Sequence, residues 1–544
     1  MLRRFLVLAL ALAVLAGCTK VDTSSSAAGG DHPWTIPGVL RVGISGDPKT
    51  LNPILAGDTT DSFITRLMFD ILVDVDEHGH PIPDLAAEVP TTENGGISKD
   101  GLTITYHLRK GVRWQDGAPV TSEDVKWTWQ AIMSNDNNVV SRRGYDQIAG
   151  IDTPDADTVV VHLRQKFAPF VSTFFAESDS PYAVLPSHLL AKYKNINQIP
   201  FNQHPVGDGP FEFVRWDRGI GIELKANPGY FRGKPGLKEI RIRVIPDENT
   251  MLTQLRTHEI DWYFEPTPDM YGQLKSLPDI TTTLTPINGY DSVMMNTESP
   301  ILKDVRVRRA IAYVIDKQVL AQKVGKGSVD VATEDLPKWM WAYDPNVPVY
   351  TFDPGKAEQL LDQAGWRMAP DGYRRRGGKT LSLVISYVNA SSQGRTVGVL
   401  LQSWLKRIGI RSEIKVYPLS VYFAPYGMGG ILPTGKYDLS LSGWVAGVDP
   451  DNSSQFLCST RPPVGYNYTR FCDAAMDAAQ HEALTNYDAA TRKKAYAKIE
   501  RILAEQMPQD FYDWRNQIQA FNPDFKNFKP NPVQEAWNAW QWEI

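Results

Sequence analysis

The stretch "MMNTESPILKDVRVRRAIAYVIDK", residues 294–317, carries a helical pattern of apolar residues. Asp304 is suited to cap a helix that continues over residues 305–322. Apolar residues recur every three or four positions and form one stripe, with arginines on the opposite side. The stripe consists of Val307, Ala310, Ile311, Val314, Ile315 and Val319. The stretch therefore predicts an amphipathic helix that packs its apolar stripe into a core.

Helices and strands alternate along the rest of the chain. A capping-box pattern opens a predicted helix over 121–133, an Asp-Pro start and a glycine end bound another over 353–365, and a third apolar stripe ends at Gly409. Period-two alternation predicts strands at 39–44, 102–108, 158–163, 240–245 and 381–386. The mixture predicts an α/β protein.

Length and charge limit what the chain does. Its 544 residues exceed what one ordinary core holds, so two or three subdomains are expected. A net charge of −5, with lysines and arginines spread among acidic residues, offers no basic surface for nucleic acid. Small solutes are therefore the expected partners, and the molecule is expected to act as a monomer.

The beginning of the chain has the pattern of an export signal followed by a tether. Two arginines precede an apolar run over 5–16, which is shorter than the roughly 20 residues of a membrane-spanning helix. Residues 15–18, LAGC, resemble the lipobox of bacterial lipoproteins, in which the cysteine thiol receives lipid. We therefore expect a signal peptide at 1–17, lipidation of Cys18 and a flexible tether over 18–30. An ordinary signal peptide with a chance cysteine is the alternative.

Cys458 and Cys472 are the other two of the three cysteines. In an oxidising compartment they are expected to pair, closing a short loop and contributing on the order of 3 kcal/mol. Two buried free thiols are the alternative.

Motifs of enzymes and metal centres are missing from the sequence. It has no HExxH, no GxSxG, no phosphate-binding glycine loop and no GxGxxG after a strand. His78 and His80 lie in a predicted turn without a second pair of ligand-type residues nearby. We therefore expect no cofactor, no metal and no catalysis, although a pair of catalytic carboxylates would leave no sequence signal.

Seven segments of the chain form an ordered set. They are ISGDPKTLNPILAGD (44–58), LMFDILVDVDEHGHPIPDLAAE (67–88), LRKGVRWQDGAPVTSEDVKWTWQ (108–130), PVGDGPFEF (205–213), the stretch 294–317, FDPGKAEQLLDQAGW (352–366) and DLSLSGWVAGVDPDN (438–452). In this order they resemble the extracytoplasmic solute-binding proteins of peptide and nickel ABC importers, the dipeptide- and oligopeptide-binding family. The resemblance covers the chain after the tether.

The resemblance implies a two-lobed α/β fold of the periplasmic-binding-protein type, with an additional subdomain and a hinge crossed by two connections. By analogy, lobe I takes residues 31–61, 185–288 and 515–544, the additional subdomain takes 62–184, and lobe II takes 289–514. Solute would stabilise the closed form, which then docks on a permease.

The implied function is that of a lipid-anchored receptor in the periplasm or on the outer face of the bacterial cytoplasmic membrane. It would capture dipeptides or oligopeptides for the permease subunits of an ABC importer, and would touch the membrane through its lipid alone. Three alternatives stay open. They are a relative that binds an oligosaccharide or a metal chelate, an exported lipoprotein hydrolase, and a receptor that signals to a membrane sensor.

The resemblance also implies ligand-binding residues in lobe II. In peptide-binding relatives a Gly-Trp pair begins the segment that lines the cleft, and an Asp three residues after the Trp holds the peptide's amino group. Gly443, Trp444 and Val445 match the start of this segment, but Gly447 stands in the Asp position. Either Asp449 takes over the role or the solute lacks a free amine, and a turn residue before proline is the equal alternative for Asp449. Trp444 either stacks on the solute or packs in the core.

Four residues outside that segment are further candidates. Arg395 precedes a helix where some relatives hold the ligand carboxylate, with a surface arginine as the alternative. Tyr290 lies on the strand that enters lobe II and is expected to face the cleft. Ser45 and Gly46 end the first strand, at the sheet edge where open α/β folds bind ligands.

Overall fold

The computed structural model describes residues 32–178, 180–389 and 392–544. The expected signal peptide, the lipidation site Cys18 and the tether lie outside these ranges. Within them, no helix combines the length and the apolar character needed to cross a membrane.

The helix predicted from Asp304 is present but shorter than expected. It spans Val305–Val314, with the Asp304 side chain as N-cap. The backbone is extended at Ile315, and Asp316 caps a second helix over Lys317–Lys323. The prediction of one continuous helix is therefore wrong. The aspartate offers the backbone a cap of its own, so the chain turns there although the apolar spacing continues.

Arg308 departs from the predicted pattern of arginines on the solvent side. It is 4% exposed, and its guanidinium donates to the backbone carbonyls of Leu302, Gln506 and Met507. The carbonyls of Gln506 and Met507 lie at the C-terminal end of the helix Ala489–Gln506. A buried arginine is tolerated here because carbonyl oxygens that the helix leaves without partners accept its hydrogen bonds.

The other predicted helices form close to their expected positions. The capping box at Thr121 and Asp124 opens Ser122–Met133. A glycine with positive φ lies just beyond both Pro354–Gln363 and Ser392–Arg407. The remaining helices span Thr59–Arg66, Ser187–Leu190, Glu248–Arg256, Pro268–Lys275, Leu419–Tyr422, Ile431–Thr434, Ser453–Phe456, Ala474–Thr485 and Ala489–Gln506.

The strands include each of the predicted ones, with ends shifted by at most two residues. In chain order they are β1 Val39–Ile44, β2 Val73–Val75, β3 Pro81–Pro83, β4 Thr103–His107, β5 Ile148–Asp155, β6 Thr158–Leu163, β7 Phe211–Asp217, β8 Gly221–Ala226, β9 Glu239–Val244, β10 Trp262–Tyr263, β11 Thr281–Met295, β12 Val329–Val331, β13 Arg367–Met368, β14 Arg374–Arg376, β15 Lys379–Thr380, β16 Ser382–Val388, β17 Arg411–Tyr417, β18 Leu439–Val445 and β19 Gln509–Phe521.

Eleven of the described strands join one sheet. Its order is β17-β16-β18-β11-β19-β10-β1-β9-β8-β7, and β12 pairs with β19. β16 is parallel to β17 and β18, and β1 is parallel to β9 and β10. Between these two parallel groups lie the long strands β11 and β19, which are antiparallel to each other.

The sheet is divided between two lobes. We call the part around β1 and β7–β10 lobe I and the part around β16–β18 lobe II. β11 and β19 run through both parts, and their pairing changes register between Pro286 and Tyr290. The two-lobed α/β fold with a hinge, which the sequence resemblance implied, is thereby confirmed, and β11 and β19 are the two connections.

Each lobe has its own hydrophobic core. The apolar stripe of Val305–Val314 packs with residues of β16 and β18 in lobe II. The lobe I core gathers residues of β1 and β9 and continues into residues 62–184, which also carry the three-stranded sheet β4-β6-β5. We call residues 62–184 the insert segment, and its shared core joins it to lobe I.

Candidate functional site

A cavity lies between the insert segment and lobe II. It has about 420 Å³ of empty space, counted out to its open mouth. The insert segment supplies Arg143, Phe167, Pro169, Ser172, Thr173 and Ser178. Lobe II supplies Trp444, Ala446, Gly447, Asp449 and Asp451. A molecule in this cavity therefore touches both sides of the cleft.

A wider hollow beside Lys49 and Arg218 is less suited to hold the lobes together. Its empty space, counted with the open solvent at its mouth, is about 1480 Å³, and it is lined by residues 49, 50, 55, 138, 197–200, 202–204 and 218. No lobe II residue is found among the described residues around it. A molecule bound there would contact one side of the cleft only.

Gly447 brings the two sides of the cleft into backbone contact. A Cβ atom at this position would lie 2.6 Å from the Cα of Ser178 and 2.7 Å from the carbonyl oxygen of Glu177. Both distances are well inside the 3.5–4.0 Å at which non-bonded carbon atoms pack. The next residue, Val448, donates its backbone N–H to the Glu177 carbonyl at 3.4 Å. The close approach therefore requires glycine at 447.

The side chain of Glu177 is held by a buried polar network within the insert segment. Its carboxylate accepts a hydrogen bond from Arg66 at 3.2 Å, and Arg66 also contacts Asp74 at 2.6 Å. Burial raises the pKa of Glu177, and Arg66 offsets only part of this rise. The wall that meets Gly447 is thus fixed by a buried polar network.

The charged side chains that line the cavity are engaged in ion pairs. Arg143 Nη2 lies 2.5 Å from Asp451 Oδ2, and this pair crosses the cleft. Arg492 Nη2 lies 2.7 Å from Asp449 Oδ1, with the two side chains 9% and 11% exposed. Burial lowers the pKa of Arg492, but the neighbouring Asp449 and Tyr496 raise it by more.

The sequence left two interpretations of Asp449 open, a turn residue before proline and a residue that binds the solute. The structure shows features of both. Its Oδ1 accepts the backbone N–H of Asp451 at 3.1 Å, as in an Asx-type turn. Its side chain also lines the cavity. Because Arg492 already neutralises its charge, Asp449 is not an unpaired carboxylate awaiting an amine.

Trp444 is half-buried on the cavity wall. It lies on β18 directly opposite Tyr290 of β11. Its indole ring lies 5.6 Å from the ring of Tyr466, and it packs against the core cluster that contains Tyr290. The side chain therefore takes part in core packing and also lines the cavity.

The neighbours of Trp444 on β18 are not among the residues that line the cavity. Gly443 faces an ion pair between Asp291 and Arg515, and a Cβ atom there would lie 2.5 Å from Asp291 Oδ1. Val445 is 51% exposed at the end of the strand.

Tyr290 corrects an expectation from the sequence. It is 3% exposed, its ring packs edge-on against Phe511, and its hydroxyl donates to Gln455 Oε1 at 2.9 Å. The side chain therefore lies in the core beside Trp444 and does not face the cleft.

Arg395, Ser45 and Gly46 are not brought to this cavity. Arg395 is exposed in the first turn of Ser392–Arg407. Ser45 and Gly46 follow β1, with Ser45 exposed and Gly46 half-buried. None of the three lines the cavity.

Sequence reasoning missed the residues that the insert segment contributes. Arg143 and Phe167 line the cavity, and Arg492 neutralises Asp449. No local pattern marks an arginine or a phenylalanine that is brought to a cleft by the packing of distant elements. The "DPDN" run at 449–452 carried the signal for Asp451, which lies two residues beyond the candidate Asp449.

Cys458 and Cys472 form a disulfide with an S–S distance of 2.10 Å. The bridge closes the loop that carries Tyr466, the aromatic neighbour of Trp444. Elsewhere in the described ranges, no group of three or more His, Cys, Asp and Glu side chains is arranged to hold a metal ion.

The chain is similar to known proteins over most of its length. A model of bacterial extracellular solute-binding proteins, family 5, middle region, matches residues 80–463. The oligopeptide-binding protein AppA of Bacillus subtilis (strain 168) is 26% identical over 553 residues, which cover 100% of this chain and 98% of that protein.

Two solved structures are similar over nearly their whole length. NikZ from Campylobacter jejuni, in complex with Ni(L-His), is 27% identical with a TM-score of 0.77, covering 94% of this chain and 100% of that chain. AppA from Bacillus subtilis, in complex with a nonapeptide, is 25% identical with a TM-score of 0.75, covering 93% of this chain and 99% of that chain. Since the family model matches well over half of the chain, the protein belongs to the bacterial extracellular solute-binding proteins of family 5.

Proposed function

We propose that this chain is an extracytoplasmic receptor that binds peptides and delivers them to the permease of an ABC importer. The observation that carries the proposal is the cavity whose walls come from the insert segment and from lobe II. A solute between these walls makes contacts that exist only when the lobes are closed, so it stabilises the closed form. Peptide as the solute is supported by the relative AppA, which is named an oligopeptide-binding protein and holds a nonapeptide in its solved structure.

Closure about the hinge is the motion that this receptor needs. We keep the predicted lobe boundaries, with lobe II beginning at residue 289. The change of register between Pro286 and Tyr290 supports a boundary there, because strands that lose regular pairing bend more easily than strands in a continuous ladder.

A lipid anchor at Cys18 is part of the proposal. The apolar run over 5–16 and the LAGC sequence at 15–18 support it. The receptor would then act as a monomer on the outer face of the cytoplasmic membrane or in the periplasm, near its permease. Intact-mass measurement of protein extracted from membranes is expected to show residue 18 at the amino end with diacylglyceryl attached, and an unmodified thiol there would contradict the anchor.

No catalytic step belongs to this proposal. A hydrolase would need a nucleophile and a base within hydrogen-bond reach of each other. The cavity has hydroxyl groups on Ser172, Thr173 and Ser178, and the two carboxylates of its lining, Asp449 and Asp451, are each paired with an arginine.

A nickel chelate is the second candidate solute. It is favoured by the similarity to NikZ, whose solved structure contains Ni(L-His). A chelate brings most of its own metal ligands, so it would not require a cluster of ligating side chains in the protein.

Solute-induced closure is the experiment that tests the receptor function. Thermal shift and small-angle X-ray scattering are measured across a panel of short peptides, oligosaccharides and nickel–histidine. We expect at least one peptide to raise the melting temperature and to reduce the radius of gyration. A response to nickel–histidine alone would favour the chelate, and no response to any member would contradict the receptor function.

A further inference from the structure

Lobe II carries a concentration of positive charge. Residues 362–380 and 403–411 contain eight lysines and arginines against two acidic residues, whereas the whole chain has a net charge of −5. Seven of the eight cationic side chains are exposed, and we call them the basic surface. They are Arg367, Arg375, Arg376, Lys379, Lys406, Arg407 and Arg411. The even spread of charge that the sequence indicated therefore does not hold in this part of lobe II.

Packing brings the two segments of the basic surface together. The first segment forms the small antiparallel sheet of β13, β14 and β15. The backbone N–H of Arg374 in β14 donates to the carbonyl of Gly409 at 2.8 Å, and a Cβ atom at Gly409 would lie 2.8 Å from Met368 Cε in β13. Gly409 lies between the end of Ser392–Arg407 and the start of β17. The sheet is thus packed directly against the turn that carries the second group of cations.

Positively charged side chains lie opposite each other within the small sheet. Arg367 is directly opposite Arg375, and Arg376 is directly opposite Lys379. Like charges in these positions destabilise an antiparallel pair of strands. Two aspartates pair with Arg367 and Arg375, at 3.4 and 2.7 Å, and offset part of the repulsion. The ion pairs between described residues leave the other two cations without a carboxylate partner, so the fold does not neutralise this charge by itself.

The basic surface and the cavity lie at opposite ends of the lobe II strands. β16 is parallel to both β17 and β18, so the three strands begin at the same edge of the sheet. Arg411 begins β17, whereas the lobe II residues of the cavity, 444–451, lie at or beyond the carboxyl end of β18. A solute in the cavity therefore does not occupy the basic surface.

We propose that the basic surface binds the anionic headgroups of a phospholipid membrane. The choice of a membrane as partner rests on the proposed function, in which a lipid on Cys18 holds the chain at the bilayer. The tether reaches lobe I ahead of β1 and spans about 20 Å. Exposed lysines and arginines near anionic lipids add to binding, and a basic patch strengthens a lipid anchor. The lipid would hold lobe I and the basic surface would hold lobe II at the same membrane.

Vesicle binding tests this proposal. The full chain with Cys18→Ser, which cannot receive lipid, is mixed with vesicles of phosphatidylcholine, either alone or in a three-to-one mixture with phosphatidylglycerol. The protein that sediments with the vesicles is then quantified. We expect at least tenfold stronger binding to the anionic vesicles, and loss of this difference at about 1 M salt, where exposed charges are screened. Equal binding to the two kinds of vesicle would overturn the proposal.

Three combined charge reversals locate the binding surface. Lys379→Glu, Lys406→Glu and Arg407→Glu are introduced together in the Cys18→Ser chain, because these side chains are exposed and form no ion pair among the described residues. Binding to the anionic vesicles should fall at least tenfold.

A matched control reverses three exposed lysines outside lobe II, which also form no ion pair among the residues that the structure describes. They are Lys99, Lys194 and Lys234. The control has the same net charge as the first variant and the same residues 1–30, including the apolar run and its two arginines, and it should keep the binding of the Cys18→Ser chain. Equal losses in the two variants would overturn the role of the basic surface.

The outcomes separate membrane binding from the receptor function. Both variants should compact with solute as the Cys18→Ser chain does. If solute compacts the chain but anionic vesicles do not bind it, the membrane contact is wrong and the receptor function stands. If no solute compacts the chain, the receptor function is wrong, and the vesicle measurements still decide the role of the basic surface. Binding to duplex DNA without binding to anionic vesicles would assign the surface to a soluble polyanion and overturn the proposal.

Discussion

At the scale of single residues, Gly447 decides how closely the lobes approach. The prediction concerns Gly447→Ala, in which a Cβ atom would sit 2.6 Å from the Cα of Ser178. Because both partners are backbone atoms that cannot rotate away, we expect full closure to be prevented and solute affinity to fall at least tenfold. Scattering with saturating solute should show a radius of gyration close to that of the unliganded protein.

The control for this substitution is Gly427→Ala. Gly427 is exposed in lobe II, and an added Cβ atom there meets no atom within 4 Å. The control variant should close and bind as the wild type does. Normal compaction of Gly447→Ala would show that the lobes close without this contact.

The Asp449–Arg492 pair carries a second prediction at this scale. Asp449→Asn leaves the Arg492 guanidinium, 9% exposed, without its carboxylate. Breaking a buried ion pair on one side costs about 3–5 kcal/mol, and somewhat less where water reaches the pair. We therefore expect the free energy of unfolding in urea to fall by about 2–4 kcal/mol. The primary effect should be on stability, since this carboxylate is already paired within the protein.

An exposed pair provides the comparison for Asp449→Asn. Asp217 Oδ2 lies 3.6 Å from Arg215 Nε, and the side chains of Asp217 and Arg215 are 49% and 59% exposed. Asp217→Asn should change the free energy of unfolding by about 0.5 kcal/mol or less, because solvent screens such pairs. Equal effects of the two substitutions would contradict the structural role of Arg492.

At the scale of elements, one helix supplies the cap of another. Arg308 of Val305–Val314 donates to the Gln506 and Met507 carbonyls at the end of Ala489–Gln506. Arg308→Met keeps an apolar stem but leaves these buried carbonyls without donors. We expect the free energy of unfolding to fall by about 2–4 kcal/mol, since each buried polar group left unpaired costs about 1–3 kcal/mol. Urea unfolding monitored by circular dichroism measures this change in the free energy of unfolding.

Arg306→Met is the control on the same helix. Arg306 is 45% exposed and pairs with Asp304, so its loss should cost about 0.5 kcal/mol or less. If Arg308→Met were no more destabilising than Arg306→Met, the capping role of Arg308 would be wrong.

Element ends were predicted well where local chemistry decides them. The capping box at Thr121 and Asp124 and the glycine at 409 mark helix ends through bonds and dihedral angles within a few residues. The break at Ile315 escaped prediction because the apolar spacing continued through it. The burial of Arg308 escaped prediction because two of its acceptors, the carbonyls of Gln506 and Met507, are nearly 200 residues away in the chain.

At the scale of the whole molecule, buried carboxyl groups make stability depend on pH. Burial, with a further contribution from Asp335, raises the pKa of Glu334 to about 9, and burial chiefly raises the pKa of Glu535 to about 8 and of Asp61 to about 6. The folded protein therefore retains protons that the unfolded chain releases near pH 4. Between about pH 4 and pH 9 the unfolded state binds fewer protons, so the free energy of unfolding should fall as the pH rises.

Glu334→Gln tests this dependence. The amide cannot ionise, so it removes the penalty of keeping a carboxyl group protonated at high pH. Relative to wild type, we expect the variant to be stabilised at pH 8 by on the order of 4 kcal/mol more than at pH 5, because each pH unit between the two pKa values is worth about 1.4 kcal/mol. Glu413→Gln, on a side chain that is 67% exposed, should show no such difference. If Glu334→Gln stabilised the protein as much at pH 5 as at pH 8, the raised pKa assigned to Glu334 would be wrong.

Some of the residues that the sequence predicted for solute binding lie at the candidate cavity, and their role in binding stays a prediction. Trp444 and Asp449, chosen from the segment resemblance, both line the cavity. Their partners Arg143 and Arg492 were not identified, because they come from distant parts of the chain. Tyr290 was placed on the cleft, but in the structure it packs beneath it, since a strand position does not reveal which face a neighbouring element covers.

The sequence by itself determined the two-lobed α/β fold, the helix caps at Thr121, Asp304 and Asp353, five of the strands and the segment that forms the lobe II wall. These features follow from local hydrogen bonding, apolar periodicity and the order of family segments. Only the tertiary structure decided the opposite wall from the insert segment, the neutralisation of Asp449 and the backbone contact at Gly447. These depend on distances between residues far apart in the chain, and such distances are set by how the lobes pack against each other.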